Sequence, residues 1–303
     1  MIKISKETHL DLYKDFLKSY TFLKNINDSE YSYPEEKVNF HIYSEIKTEK
    51  ELQSVKSYFA TQNLKKTNLI IWSDYSIEHL ECLAPFKNHI TFKIYNPLEE
   101  AKGTILEGKN KILLAHDSKY YLRSDLLRLL ALHKYGGIWI DMDVILLRDF
   151  KPILDQEFMY QWGDTTDFEN FGPCGTVLSL KKNSKLSNLL LEGLLLMPII
   201  PGTTVWGKDL FAIIYKNFYK FDIFPSSFFN IEWMMPVAHD CDGVCCWWFK
   251  DACPDEFLFL GCFAWHWHNT GHKNREIKNN SKFDKLMKLN EEKIKNRLLN
   301  KEL

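Results

Sequence analysis

The sequence predicts an α/β protein built on a parallel sheet, and three observations carry that expectation. Short apolar runs of strand length alternate with segments of helical periodicity through the first half of the chain. The runs Val38–Tyr43, Asn68–Trp72 and Ile90–Tyr95 are of strand length and rich in apolar residues, and Asn68–Trp72 (NLIIW) reads as a buried strand. The segment from Ser118 to Leu147 reads as a helix, a Gly-Gly stop and a strand in immediate succession.

Each element has its own justification. Residues 5–24 place Leu10, Tyr13, Leu17 and Tyr20 on one helical face. Residues 25–37 are polar and contain Pro34, which separates that helix from the first strand. Residues 49–60 read as a helix, Asn68–Trp72 as a buried strand ended by Ser73 and Asp74, and Ile77–Leu83 as a short helix before the strand at Ile90. Ser118 is placed to cap the next helix, whose apolar face is Leu122, Leu126, Leu129, Leu130 and His133. Gly136 and Gly137 supply the positive φ at which that helix stops. Ile138–Ile140 then forms a strand running into Asp141-Met142-Asp143. Later elements are less regular: a strand at Leu178–Leu180, helices at Leu186–Met197 and Asp209–Asn217, and a charged, solvated helix from Lys282 to Leu303.

Composition narrows the class. A chain of 303 residues, 45% hydrophobic and 26% charged, is an ordinary globular protein with a sizeable core. A net charge of −1 gives no reason to expect nucleic-acid binding. The segment MIKISKETHLDLYKDF lacks the apolar stretch of a secretory signal, and the most apolar run, Leu189–Ile200, is broken by Glu192, Gly193 and Pro198. A cytoplasmic protein without a transmembrane segment is expected. Five of the seven Cys (Cys241, Cys245, Cys246, Cys253, Cys262) fall between 241 and 262, a spacing that fits no standard zinc site; buried thiols, disulfides or a structural metal all remain open.

The chemistry concentrates at Asp141 and Asp143. Period two puts both carboxylates on one side at the end of an apolar strand, where ligands of open α/β sheets bind. Two carboxylates facing one way repel unless a cation joins them, and a hard divalent ion with a diphosphate suits that place. Asp125 and Arg128, three apart on the preceding helix, are neighbours that interrupt a leucine-rich face. Only five Arg stand against 34 Lys, and three of them, Arg123, Arg128 and Arg148, flank this region; Arg is suited to fixed, bidentate recognition of polar groups.

The run YLRSDLLRLLALHKYGGIWIDMDVILLRDF resembles the DXD sugar-binding region of retaining glycosyltransferases, the group of family 32 sugar transferases, α-1,4-galactosyltransferases and clostridial toxin glucosyltransferase domains. Its S-D-x-x-R helix, Gly-Gly turn, apolar strand and D-x-D all stand here in order. NLIIWSD, PGTTVWGKDLF, IFPSSFF and CFAWHWHNT resemble further segments of that family, with His268 where the family has Trp. The resemblance implies a GT-A fold, an α/β architecture with a mostly parallel central sheet flanked by helices, over residues 34–281 with a Cys-rich insertion at 241–262. A helical segment 1–33 would precede it and a charged helix 282–303 would follow. It implies an Mn²⁺ (or Mg²⁺) cofactor, a UDP- or GDP-sugar donor, and a glycan or protein acceptor. Asp143 would bind the metal, Asp141 the ribose or the metal shell, Asp125 and Arg128 the donor-sugar hydroxyls, and His266 the metal or diphosphate. Tyr43 and Trp72, on the first two strands, would serve the donor nucleotide. Trp247 and Trp248 in the Cys-rich segment, with His268, are expected on the acceptor side, because aromatic faces pack well on sugar rings.

Two other readings compete. IWIDMDV also fits the first motif of haloacid-dehalogenase-type phosphatases, with Asp141 as nucleophile. A non-catalytic nucleotide-sugar-binding protein of the same fold is the third, since fold does not guarantee activity.

Overall fold

A computed structural model describes residues 16–162, 173–231, 246–300 and 303. The elements that position the site are α1 (Phe16–Lys24), β1 (Val38–Tyr43), α2 (Glu49–Thr61), β2 (Thr67–Ser73), β3 (Ile90–Ile94), α3 (Tyr121–Tyr135), β4 (Gly137–Ile140) and β5 (Val144–Leu146). They continue with β6 (Phe158–Gln161), β7 (Pro173–Leu180), α4 (Lys185–Leu194), α5 (Leu210–Asn217), β8 (Asp222–Phe224), β9 (Ala264–His266) and α6 (Lys282–Leu299). Seven strands form one sheet in the order β3-β2-β1-β4-β7-β6-β8. Its neighbours pair in parallel except β7, which is antiparallel to both β4 and β6. The expected mostly parallel sheet flanked by helices is therefore present.

Period two sorts the strand side chains onto two cores. Leu69, Ile71, Ile138 and Ile140 face one cluster with Val55 and Phe59 of α2. Ile70, Trp72, Trp139 and Leu178 face the other with the leucines of α3 and α4. Trp72 is fully buried there, its indole N–H donating to His41 Nδ1 at 3.1 Å. A strand covered on both faces sends every alternate residue into the core, and Trp72 is one of these.

Several sequence expectations need correction. The helix at Ile77–Leu83 is instead a 3₁₀ segment, Glu81–His89, which contains Pro85; proline removes an amide donor and disfavours an α-helix interior. Ser118 does not cap α3. The chain enters through Tyr120 in the left-handed region, and Asp117 satisfies the free amides: Oδ1 accepts from Lys119 and Tyr121, and Oδ2 from Leu122 at 2.7 Å. The strand expected at Leu178–Leu180 is longer and begins at Pro173. The helix expected at Asp209 is preceded by a π-helical turn, Val205–Asp209. The last helix is not merely solvated. Phe283, Leu286 and Ile294 are buried in the core that α2 joins, and Arg297 donates to Gln62 O at 2.8 Å. Of the predicted first helix, residues 5–15 lie outside the described residues, as do Cys241 and Cys245.

The stop at Gly136 and Gly137 is as expected. Gly136 has φ +66° with its amide on Leu132 O, and Gly137 has φ +111°. A Cβ on Gly137 would stand 2.1 Å from Asn39 O, so only glycine lets β4 approach β1 here. Among the described residues, no helix is long and apolar enough to cross a membrane.

Candidate active site

Strand β4 delivers Asp141 and Asp143 to the carboxyl end of the sheet, beside the ends of β1 and β2. A cavity of about 970 Å³ opens there, lined by Tyr43, Asp125, Arg128, Asp141, Asp143, His266 and His268 among others. Most of the residues singled out in the sequence thus converge. Trp72, Trp247 and Trp248 do not line it.

Arg128 and Asp125 reach the cavity from α3, whose remaining face is leucine core. Arg128 Nη1 lies 3.1 Å from Asp125 Oδ1, and Nη2 lies 2.9 Å from Asp141 Oδ1. Trp139 Nε1 donates to the same Asp141 oxygen at 2.6 Å. Asp141 is thereby held by two donors, which leaves it poorly placed as the free nucleophile of a phosphatase. Burial pushes Asp125 up to about 6 against the pull of Arg128, and burial also raises Asp141. Two glycines keep this corner open: a Cβ on Gly175 would stand 2.6 Å from Arg128 Nη1, and one on Gly207 would stand 3.2 Å from Asp125 Oδ2.

Asp143 belongs to a second group. The two-stranded sheet β5–β9 pairs Val144 with His266, and Trp267 N donates to Asp143 O at 3.0 Å. That pairing brings a residue 123 positions away to the carboxylate: His266 Nε2 lies 3.2 Å from Asp143 Oδ2, and the Asn269 amide donates to the same oxygen at 2.8 Å. Burial alone would raise Asp143, but His266 and the Asn269 amide outweigh it and hold the carboxyl at about 2. Tyr160 OH lies 3.3 Å from His266 Nδ1 and fixes the ring from behind. His266 and His268 share one face, ring centroids 3.8 Å apart, while Trp265 and Trp267 point into the core.

At the ends of β1 and β2, Tyr43 OH donates to Asp74 Oδ2 at 2.9 Å, and Arg123 Nε donates to Asp74 Oδ1 at 2.8 Å. Arg123 also lies over the ring of Tyr95, 4.5 Å from its centroid. Sequence reasoning singled out Tyr43 but missed Asp74, Tyr160, Asn269 and the two open glycines. Asp74 was findable, because it follows an apolar strand as Asp141 does.

The Cys-rich segment is placed differently from expectation. Trp248 is 2% exposed, edge-on to Trp265 and stacked parallel to His268 at 6.0 Å. Trp247 stacks on Phe257 with centroids 4.7 Å apart. Trp248 is thus packed inside the protein and does not line the cavity. Cys253 and Cys262 are buried, while Cys82 is an exposed free thiol and Cys174 a buried one beside Thr176.

Among the described residues, no three His, Cys, Asp or Glu side chains form a closed metal cage. The donor set nonetheless fits a hard cation arriving with a diphosphate. Two carboxylates, Asp125 and Asp141, face one guanidinium on the cavity floor, Asp143 and His266 present ligand atoms to the same opening, and Lys119, Lys208, Lys273 and Arg275 line the walls. Mg²⁺-type ions use one or two carboxylates plus substrate phosphates rather than an all-protein cage.

Residues 13–160 match the family described as glycosyltransferase sugar-binding region containing DXD motif. Among solved structures, the chain is similar to the PaToxG glycosyltransferase at 17% identity and TM-score 0.44, over 68% of this chain and 79% of that one. It is also similar to the bifunctional glycosyltransferase WbbM at 12% identity and TM-score 0.50, over 87% of this chain but 52% of that longer one. No curated protein sequence matches it. Residues 13–160, just under half of the chain, thus match a glycosyltransferase sugar-binding region, whose DXD motif falls at Asp141 and Asp143.

Proposed function

We propose that the protein is a divalent-cation-dependent, retaining hexosyltransferase that takes a UDP- or GDP-sugar as donor and a glycan or protein as acceptor. The observation that carries this reading is the convergence, in one cavity, of the Asp125–Arg128–Asp141 cluster with the Asp143–His266 pair.

Each group has a task in it. Asp143 and His266 would hold Mn²⁺ (or Mg²⁺), with Tyr160 setting the imidazole so that Nε2 faces the ion. The ion would supply Lewis-acid stabilisation of the departing diphosphate. Asp141, fixed by Arg128 and Trp139, would accept from a ribose or water hydroxyl of the metal shell. Asp125 and Arg128, beside the space left by Gly175 and Gly207, would fix the hexose through its hydroxyls. Holding donor and acceptor in one geometry provides much of the remaining rate enhancement. Tyr43, with Asp74 and Arg123, stands where the nucleoside end would lie. Its phenol, raised by burial and by Asp74, stays protonated and can donate.

The test is a panel of nucleotide sugars with Mn²⁺, scored for nucleotide release and thermal shift. One donor is expected to give both signals and to lose them in EDTA. No release and no shift across UDP- and GDP-sugars would overturn the reading.

A further inference from the structure

The donor site has two halves from distant parts of the chain, and a single helix touches both. On α2, Ser54 Oγ donates at 2.6 Å to Met142 O, the carbonyl between the two DXD carboxylates. One turn earlier on the same helix, Lys50 is only 5% exposed. Its Nζ donates to three carbonyls of one segment: His272 O at 2.7 Å, Arg275 O at 2.5 Å and Lys273 O at 3.2 Å. It also lies over the ring of Phe249, 4.5 Å from the centroid.

An ammonium has three N–H donors, and here each has a carbonyl. Burying a charge is costly unless it is fully hydrogen-bonded. A methionine would bury a side chain of similar length without that cost, so burial alone does not account for a lysine here. The segment it gathers matters to the site. It begins at Asn269, whose amide donates to Asp143 Oδ2 at 2.8 Å, and it carries Lys273 and Arg275 to the cavity wall.

We propose that Lys50 is a positioning residue, a buried clamp that holds residues 269–275 against the DXD turn so that the Asn269 amide, Lys273 and Arg275 meet the donor diphosphate together. Lys50 touches no reactant itself. Burial, with the nearby charge of Arg275, lowers its pKa to about 8, which leaves the ammonium intact at neutral pH. The clamp's kinetic consequence rests on the function proposed above, whereas its structural consequence does not.

The experiment compares the parent with Lys50→Met, and with Lys50→Gln as the milder change should Lys50→Met fail to fold. Hydrogen exchange of the purified proteins should show the amides of 269–275 exchanging at least about tenfold faster in the variant. Helix α6, which packs on the same α2, should keep the parent rates. With the donor found in the nucleotide-sugar panel, KM should rise at least about tenfold while kcat stays within about threefold. Lys50→Arg, which keeps charged donors in place, should recover most of the KM. Unchanged exchange at 269–275, or acceleration spread equally through α6, would overturn the clamp. An equal fall in kcat with KM unmoved would overturn its positioning role. Local acceleration in a protein whose parent turns over no nucleotide sugar would uphold the clamp and overturn the donor reading, so the two failures are distinct.

Discussion

Arg128 Nη2 donates to Asp141 Oδ1 at 2.9 Å, and this one contact ties the interior of helix α3 to the end of strand β4. Through Nη1 the same guanidinium reaches Asp125 Oδ1 at 3.1 Å. One planar cation therefore orients two carboxylates in advance, and that geometry is what a lysine cannot reproduce. The first carboxylate of the DXD pair is tied to Arg128, and the second to His266 and the Asn269 amide.

Arg128→Lys should lower kcat/KM by at least about tenfold, roughly 1.4 kcal/mol, although the charge is kept. The protein should remain folded, because Lys can still neutralise one carboxylate. Steady-state kinetics on the purified variant decides this. Values matching the parent would make Arg128 an ion-pair partner without a role in transfer.

Gly175→Ala should act through Arg128. The new Cβ would stand 2.6 Å from Nη1 and 2.6 Å from the Phe211 ring, so the guanidinium must move. Overpacking of this kind costs about 1–3 kcal/mol. In a double-mutant cycle on kcat/KM, Gly175→Ala should add little to Arg128→Lys. Additive losses would show that the glycine acts elsewhere.

Asp125 gives a pH dependence of known sign. Burial raises its native pKa from 3.8 to about 6, so the native state holds a proton that the unfolded chain has lost. Stability from this group is fully present below about pH 4 and is lost as pH rises through about 6. Relative to Asp125→Asn, the parent should lose about 2 kcal/mol between pH 4.5 and 7, the part of the roughly two-unit shift that falls in that interval. Urea unfolding of both proteins at pH 4.5 and 7 measures the change, and a constant difference would contradict the burial of this carboxyl.

Trp248→Ala should destabilise the fold rather than discriminate between donor and acceptor. A 2% exposed indole packed on Trp265 and His268 is core, and deleting such a side chain costs about 3–5 kcal/mol. Chemical denaturation should show that loss. A variant of parental stability with normal donor hydrolysis and impaired transfer would restore the acceptor role that the sequence suggested.

What was legible in the sequence was local. The helix, the glycine stop and the DXD strand lie within 23 residues of chain, from Tyr121 to Asp143, and each is encoded by neighbours: a leucine face, two positive-φ positions, an apolar run. The same holds for β1, whose limits agree with its apolar run. What was not legible depended on distant pairing. The antiparallel insertion of β7 beside β4 brings Gly175 to Arg128 and Thr176 O to the Asp141 amide, 35 residues apart. The β5–β9 ladder brings Asn269 to Asp143. Trp72 and Trp248 read as binding aromatics because a sequence does not say which face of an aromatic is already covered. Asp117 displaced Ser118 as the cap because Tyr120 enters α3 in the left-handed region, which turns the amides of Tyr121 and Leu122 toward Asp117.

In the proposed reaction Asp143 and His266 would hold the cation with which a nucleotide sugar is bound and cleaved. The most direct measurement is Mn²⁺-dependent nucleotide release from the best donor of the panel, parent against Asp143→Ala, with thermal unfolding of each recorded beside it. Asp143→Ala should stay folded while its metal-dependent release falls at least about a hundredfold, close to 3 kcal/mol of lost transition-state stabilisation. Undiminished, Mn²⁺-dependent release from a folded Asp143→Ala protein would contradict it.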